Sequence, residues 1–141
     1  DSQAYAETLG GYLATITSQE EQNFVATNIV STWPGGDVEF KVGGYQDTTA
    51  PDYSEPDGGW RWVTGEPWSY TNWHTGEPDD CCLAIENYLT CLGSSLHYKW
   101  HDDFSVDSFP FIVEYAIPLP EPTTGLLLGL GLLGVAVRRR V

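Results

Sequence analysis

From Thr64 to Ile85 the chain reads TGEPWSYTNWHTGEPDDCCLAI, more than twenty residues showing neither the alternation of a strand nor the three-to-four spacing of a helix. A compact domain tolerates few loops of this length. Each leaves backbone N–H and C=O groups to be paired by something other than a regular ladder, and such loops usually carry function. The rest of the chain must therefore supply short elements that hold one long irregular excursion in place. Within it, Glu77, Asp79 and Asp80 crowd around Pro78. Carboxylates so close repel one another unless a cation stands among them, either solvent counter-ions or a bound metal.

The segments on either side have clearer periods. Tyr12 to Ile16 alternates large and small residues as a strand does. Ser18 and Glu21 form an S-x-x-E capping box, and Phe24, Val25 and Ile29 give the helix that follows an apolar face. Trp33-Pro34-Gly35-Gly36 ends it. Next, VEFKVGGYQD reads as a buried strand and APDYSEPDGG as a turn-rich loop, its Ser54–Asp57 string included. WRWV (Trp60 to Val63) predicts a short strand with both tryptophans on one face. After the long loop, ENYLTCL, HYKWHDD and PFIVEY predict three further short strands. With a first helix over Ser2 to Leu9, the pattern is α+β, two helices leading and short strands following.

Charge narrows the partners. Residues 1–118 carry 19 acidic and 3 basic side chains, a net of −16, a surface that repels nucleic acid and anionic membranes and attracts cations. Nucleic-acid binding is excluded on this ground. The chain opens on Asp1 within the first helix and contains no methionine, which predicts a fragment or a product that has lost an export segment. The three cysteines, Cys81, Cys82 and Cys91, permit three single pairings with one thiol left over. Strain between the neighbours Cys81 and Cys82 favours a bridge from Cys91 to one of them, with free thiols as the alternative. Their spacing matches no zinc site.

At Pro118 the chain changes character. PLPEPTTGLLLGLGLLGVAVRRRV places Pro120-Glu121-Pro122 before 15 uncharged residues, Thr123 to Val137, closed by Arg138, Arg139 and Arg140. The run has no polar face, and its glycines weaken a helix in water but are tolerated in lipid. It falls just short of the ~17–25 residues that span a bilayer. The terminal arginines would stay in the cytoplasm, leaving the acidic domain outside. This tripartite order resembles the PEP-CTERM sorting signal of Gram-negative bacteria. The resemblance implies export, a transient inner-membrane anchor, an exosortase-type processing enzyme as partner, removal of the tail, and a cell-surface or extracellular product. A plain membrane anchor is the simpler alternative. The chain thus divides into residues 1–117 and 118–141.

LGGYLATITSQEEQNFV, VGGYQD, GGWRWVTGEPWSYTNWHTGEPDD, ENY, KWHDD and FIVEY, in that order, resemble a C-type lectin-like domain of the bacterial kind. The resemblance covers nearly all of residues 1–116. It implies two helices, two small antiparallel sheets and a long loop region that carries calcium. The family's calcium-and-sugar motif is a Glu-Pro-Asn or Gln-Pro-Asp triplet, a later acid and an Asn-Asp pair after tryptophan. Here it maps onto Glu77-Pro78-Asp79, Glu86 and His101-Asp102. The resemblance therefore implies Glu77, Asp79, Glu86 and Asp102 as calcium ligands. A glycan or exopolysaccharide would bind through these four and His101, and the Glu77–Pro78 bond would be cis. Calcium, which takes 6–8 oxygen ligands, suits such a set.

Two departures stand out. His101 replaces asparagine, and imidazole nitrogen is a poor calcium ligand, though it can donate to a sugar oxygen. Asp79 makes the triplet a mixture of the mannose-like and galactose-like forms, so the sugar stays open. Tyr88 and Val113 stand where two family cysteines belong. The family's use of tryptophan implies that Trp60, Trp62, Trp68, Trp73 and Trp100 are mostly core, pinning the loop. Asp80 and Asn87 read as exposed turn residues, with contact to the same ion or a second one as the alternative, and His74 and His97 as ordinary surface or strand residues.

The expectation is thus a non-catalytic, calcium-dependent carbohydrate-binding module displayed outside the cell. The alternative is a structural or adhesive protein with a protein partner and calcium, if any, only as a brace. A glycosidase pair made from Glu77 and Glu86 is disfavoured, because catalysis needs two carboxylates in contrasting environments within a cleft.

Overall fold

The computed structural model describes residues 2–35, 37–81, 85–93, 95, 97–104 and 109–116. The expected sorting segment and its apolar helix lie outside these residues. Among the described residues no helix is long and apolar enough to cross a membrane.

Two helices and two antiparallel sheets form, as the sequence pattern and the resemblance imply. Helix α1 spans Ser2–Thr8 and α2 spans Gln19–Asn28, followed by one 3₁₀ turn, Val30–Thr32. The strands are β1 (Tyr12–Leu13), β2 (Phe40–Gln46), β3 (Trp60–Trp62), β4 (Tyr88–Cys91), β5 (Trp100–Asp103) and β6 (Val113–Glu114). Strand β1 pairs with β6, while the larger sheet runs β3-β2-β4-β5.

Ser18 caps α2 as expected, its side chain accepting from Glu21 N at 3.1 Å. The return bond of the box lands one residue early. Glu21 Oε2 accepts from Thr17 N at 2.6 Å and from Thr17 Oγ1 at 2.9 Å. Strand β1 is shorter than the Tyr12–Ile16 alternation predicts. Past Leu13 one more backbone bond forms, Ala14 N to Ile112 O at 2.9 Å, and then a carboxylate takes over, with Glu114 Oε2 accepting from Thr15 N at 3.1 Å.

Strand β2 is the centre of the molecule. It carries Phe40 and Val42 into the core and pairs on one side with β3 and on the other with β4. The layers meet closely at Gly43, whose N–H donates to Ala14 O at 2.8 Å. A Cβ there would stand 2.6 Å from Leu13 O, so only glycine fits. As the WRWV alternation predicts, Trp60 and Trp62 are buried while Arg61 turns outward to an ion pair with Asp52. With Trp100, Leu89 and Ile16 they form the core.

The expected Cys91 bridge does not form. Cys91 is a free thiol at 0% exposure on the core face of β4, and burial pushes its thiol up to about 11. Strand pairing with Phe40 and Trp100 fixes it there. Cys81 is disulfide-bonded.

Candidate functional site: two carboxylate clusters flanking one strand

The long loop is held by indoles and by a few backbone bonds. Trp68 stacks on Trp60 with ring centroids 5.8 Å apart and lies 4.6 Å from Trp62. Trp73 meets Trp60 at 5.0 Å and Trp100 at 5.8 Å. Beside them the loop zips onto the entrance of β5: Trp100 N donates to Asn72 O at 2.9 Å and His74 N to Trp100 O at 2.8 Å. Asn72 is 8% exposed and adds a bond from Nδ2 to Tyr98 O and one accepted from Lys99 Nζ. All five tryptophans thus pack in or against the core, as expected. Tyr70 joins them edge-on to Trp100 at 5.6 Å.

From that anchor the chain turns tightly. Gly76 adopts φ +98°, Glu77 N donates to His74 O at 3.0 Å, and the Glu77–Pro78 bond is cis, in line with the expectation. The Glu55–Pro56 bond is cis as well. Beyond Pro78 the backbone folds over the buried Asp102 of β5, which is 3% exposed. Asp79 N donates to Asp102 Oδ1 at 3.0 Å and Asp80 N to Asp102 Oδ2 at 2.9 Å. Cys81 N donates to Glu86 Oε2 at 2.8 Å and to Asp79 Oδ1 at 3.1 Å. Asp80 closes the loop, its Oδ1 accepting from Glu86 N at 3.1 Å, the turn role expected of it.

The result brings the four predicted acids together in two overlapping groups. Carboxylate oxygens of Glu77, Asp79 and Asp102 lie within 4.8 Å of one another, and Asp79 also lies within that distance of Glu86. Among the described residues no lysine or arginine is paired with any of them. Burial, then a hydrogen bond shared with Asp102, then the charges of Asp79, Asp102 and Glu86 raise the Glu77 carboxyl to about 7. Burial likewise raises Glu86, partly offset by the Cys81 N–H. An all-oxygen donor set under mutual repulsion fits a hard divalent cation such as calcium.

His101 joins a different group. Strand alternation places it with Asp103, on the opposite side of β5 from Asp102, and its Nε2 is 3.6 Å from Glu39 Oε2. One ligand atom from each of Glu39, His101 and Asp103 lies within 4.8 Å of the others. Sequence reading passed over Glu39 and Asp103. The signal that finds them is period two, which puts Glu39 on the Lys41 side of β2 and Asp103 on the His101 side of β5.

Residues 1–114 match the family described as the Lectin C-type domain, and residues 118–140 match the PEP-CTERM protein-sorting motif. A perlucin-like protein of Mytilus galloprovincialis is 31% identical over 105 residues, covering 72% of this chain and 59% of its own length. This chain therefore spans less than two thirds of that relative. The cow C-type carbohydrate-recognition domain of CD23, solved in the presence of a GlcNAc2Man3 oligosaccharide, is 27% identical with a TM-score of 0.62, over 82% of this chain and 78% of that one. A calcium-independent type II antifreeze protein shares the fold at 24% identity with a TM-score of 0.61, over 82% and 77% of the two chains.

Proposed function

We infer a function from the premise that this chain belongs to the C-type lectin domain family: an exported, non-catalytic module that binds a glycan or exopolysaccharide through calcium at the bacterial surface. The observation that carries this reading is the convergence of Glu77, Asp79, Glu86 and Asp102 around one turn, with no lysine or arginine among the described residues paired with them. These four would hold the ion through oxygen, with backbone carbonyls and water completing its shell. When bound, calcium supplies a Lewis-acidic centre on which vicinal sugar hydroxyls replace water. The carboxylates accept hydrogen bonds from those hydroxyls. The geometry favours these four over His101, whose imidazole faces Glu39 and Asp103.

The same premise supports a place. The PEP-CTERM match over residues 118–140 implies sorting to the cell surface. We read residues 1–117 as the displayed domain and 118–141 as a tail held briefly in the inner membrane. An exosortase-type enzyme would recognise Pro120, Glu121, Pro122 and the arginines Arg138 to Arg140. Intact-mass analysis of the surface protein tests this, with a product ending near Pro120 expected and a retained tail refuting it.

The binding reading is tested by calorimetric titration with calcium, followed by a glycan array with and without chelator. Saturable calcium binding and chelator-sensitive glycan capture are expected; no calcium heat and no stabilisation would sink it. A second reading is favoured by the fold's occurrence in a calcium-independent antifreeze protein: a surface structural or adhesive protein with a protein partner. Under that reading neither free monosaccharide nor chelator displaces the partner.

A further inference from the structure

We propose that Glu39, His101 and Asp103 form a second metal site, for a divalent transition metal of the zinc class, on the face of the larger sheet away from the acidic loop. The register assembles it. Strand β4 lies between β2 and β5, with Thr90 opposite Lys41 on one side and His101 on the other. Glu39, two residues before Lys41, reaches over β4 from the start of β2, while His101 and Asp103 rise from alternate positions of β5.

Three polar atoms on this face lack a hydrogen-bond partner although each is buried: His101 Nε2, Asp103 Oδ2 and Thr90 Oγ1. Asp103 is 6% exposed and Thr90 0%. A buried carboxylate oxygen and a buried imidazole nitrogen left unpaired are costly, and a cation bound between them would relieve both at once. Asp103 spends its other oxygen on Phe104 N at 2.7 Å, so Oδ2 is the one turned to its neighbours. His101 Nε2 and Glu39 Oε2, 3.6 Å apart, are too far for a good hydrogen bond. Two ligands about 2.1 Å from a tetrahedral ion stand about 3.4 Å apart. The observed gap is close to that spacing.

The donor set selects the metal. One imidazole nitrogen and two carboxylates match zinc, whose catalytic-type sites combine His and carboxylate ligands and leave a fourth position to water. The two carboxylates neutralise the ion's charge. Glu39 is about a third exposed, which gives the metal a path in. Calcium, with its preference for oxygen, belongs to the loop cluster instead. Replacement of the family's asparagine by His101 thus changes which metal this part of β5 holds, and the inference stands whether or not the loop binds calcium.

The experiment is calorimetric titration of the untagged full chain with zinc chloride alone, paired with cobalt(II) absorption spectroscopy. One equivalent should bind, and cobalt should give the intense visible bands of a tetrahedral site without a thiolate charge-transfer band. His101→Gln and Glu39→Gln, the latter at a partly exposed position that leaves the core untouched, should each weaken binding at least tenfold. Glu77→Gln should leave zinc binding unchanged. Absence of zinc binding would overturn the proposal. Full affinity in both Gln variants, loss in Glu77→Gln, or a thiolate band would each overturn it equally, by placing the metal elsewhere.

Discussion

Replacing Glu77 by glutamine should invert the order of stability of two proteins according to whether calcium is present. Carboxylate oxygens of Glu77, Asp79 and Asp102 lie within 4.8 Å of one another. Two unit charges at that spacing repel by about 3.5 kcal/mol at an effective dielectric constant of about 20. Glu77 faces two such neighbours, but it is partly exposed and solvent screening cuts the sum sharply, leaving a net relief of about 1–2 kcal/mol. Glutamine has the same shape and its amide N–H can keep the bond to Asp102. In chelator at pH 8, Glu77→Gln should therefore melt about 3–8 °C above the wild type. Calcium at 100 times its dissociation constant should stabilise the wild type by about 2.7 kcal/mol, about 10 °C for a domain of this size. The variant, having lost a ligand, should gain little, so the wild type becomes the more stable of the two. Differential scanning calorimetry in EDTA and in millimolar calcium reads both halves. A variant that melts below the wild type in chelator and keeps its full calcium shift would refute the crowding argument.

Three further outcomes follow from the scaffold. Ser18→Ala removes the acceptor for Glu21 N and should cost about 1 kcal/mol in denaturant unfolding, with no change in calcium affinity. Gly43→Ala drives a Cβ to 2.6 Å from Leu13 O and 2.7 Å from Val63 Cγ2; a loss of about 1–3 kcal/mol is expected, and an unchanged midpoint would contradict the close approach of β1 and β2. Cys91, buried with its thiol raised to about 11, should resist alkylation in the native state at pH 8. Peptide mapping should find it labelled only after unfolding.

Much of this is legible in the sequence. The Ser18 cap and the Trp60 and Trp62 face each rest on a local rule, either a side chain reaching its own turn or an alternation within three residues, whereas Glu77, Asp79, Glu86 and Asp102 are implied together only by the resemblance to a C-type lectin-like domain. Residues that meet through register were harder. Glu39 and His101 approach because two strands of the larger sheet flank a third, a pairing between chain segments some sixty residues apart that no local period encodes. Cys91 misled for the same reason: strain between Cys81 and Cys82 argued for a bridge, while burial of β4 against Phe40 and Trp100 had already claimed the thiol for the core. Strand β1 fell short of its alternation because Glu114, arriving from the far end of the domain, bonds Thr15 N in place of a further ladder pair.

The indoles that fasten the loop to the sheet also make the molecule its own reporter. Trp68 and Trp73 come from the irregular segment, Trp60, Trp62 and Trp100 from the strands, and neighbouring rings among them sit 4.6 to 6.2 Å apart. At that range aromatic chromophores couple, so the docked arrangement has a circular-dichroism couplet and an emission colour of its own. Peeling the loop away would separate two members of the quintet from the other three and quench the couplet, making the docking equilibrium visible without a dye.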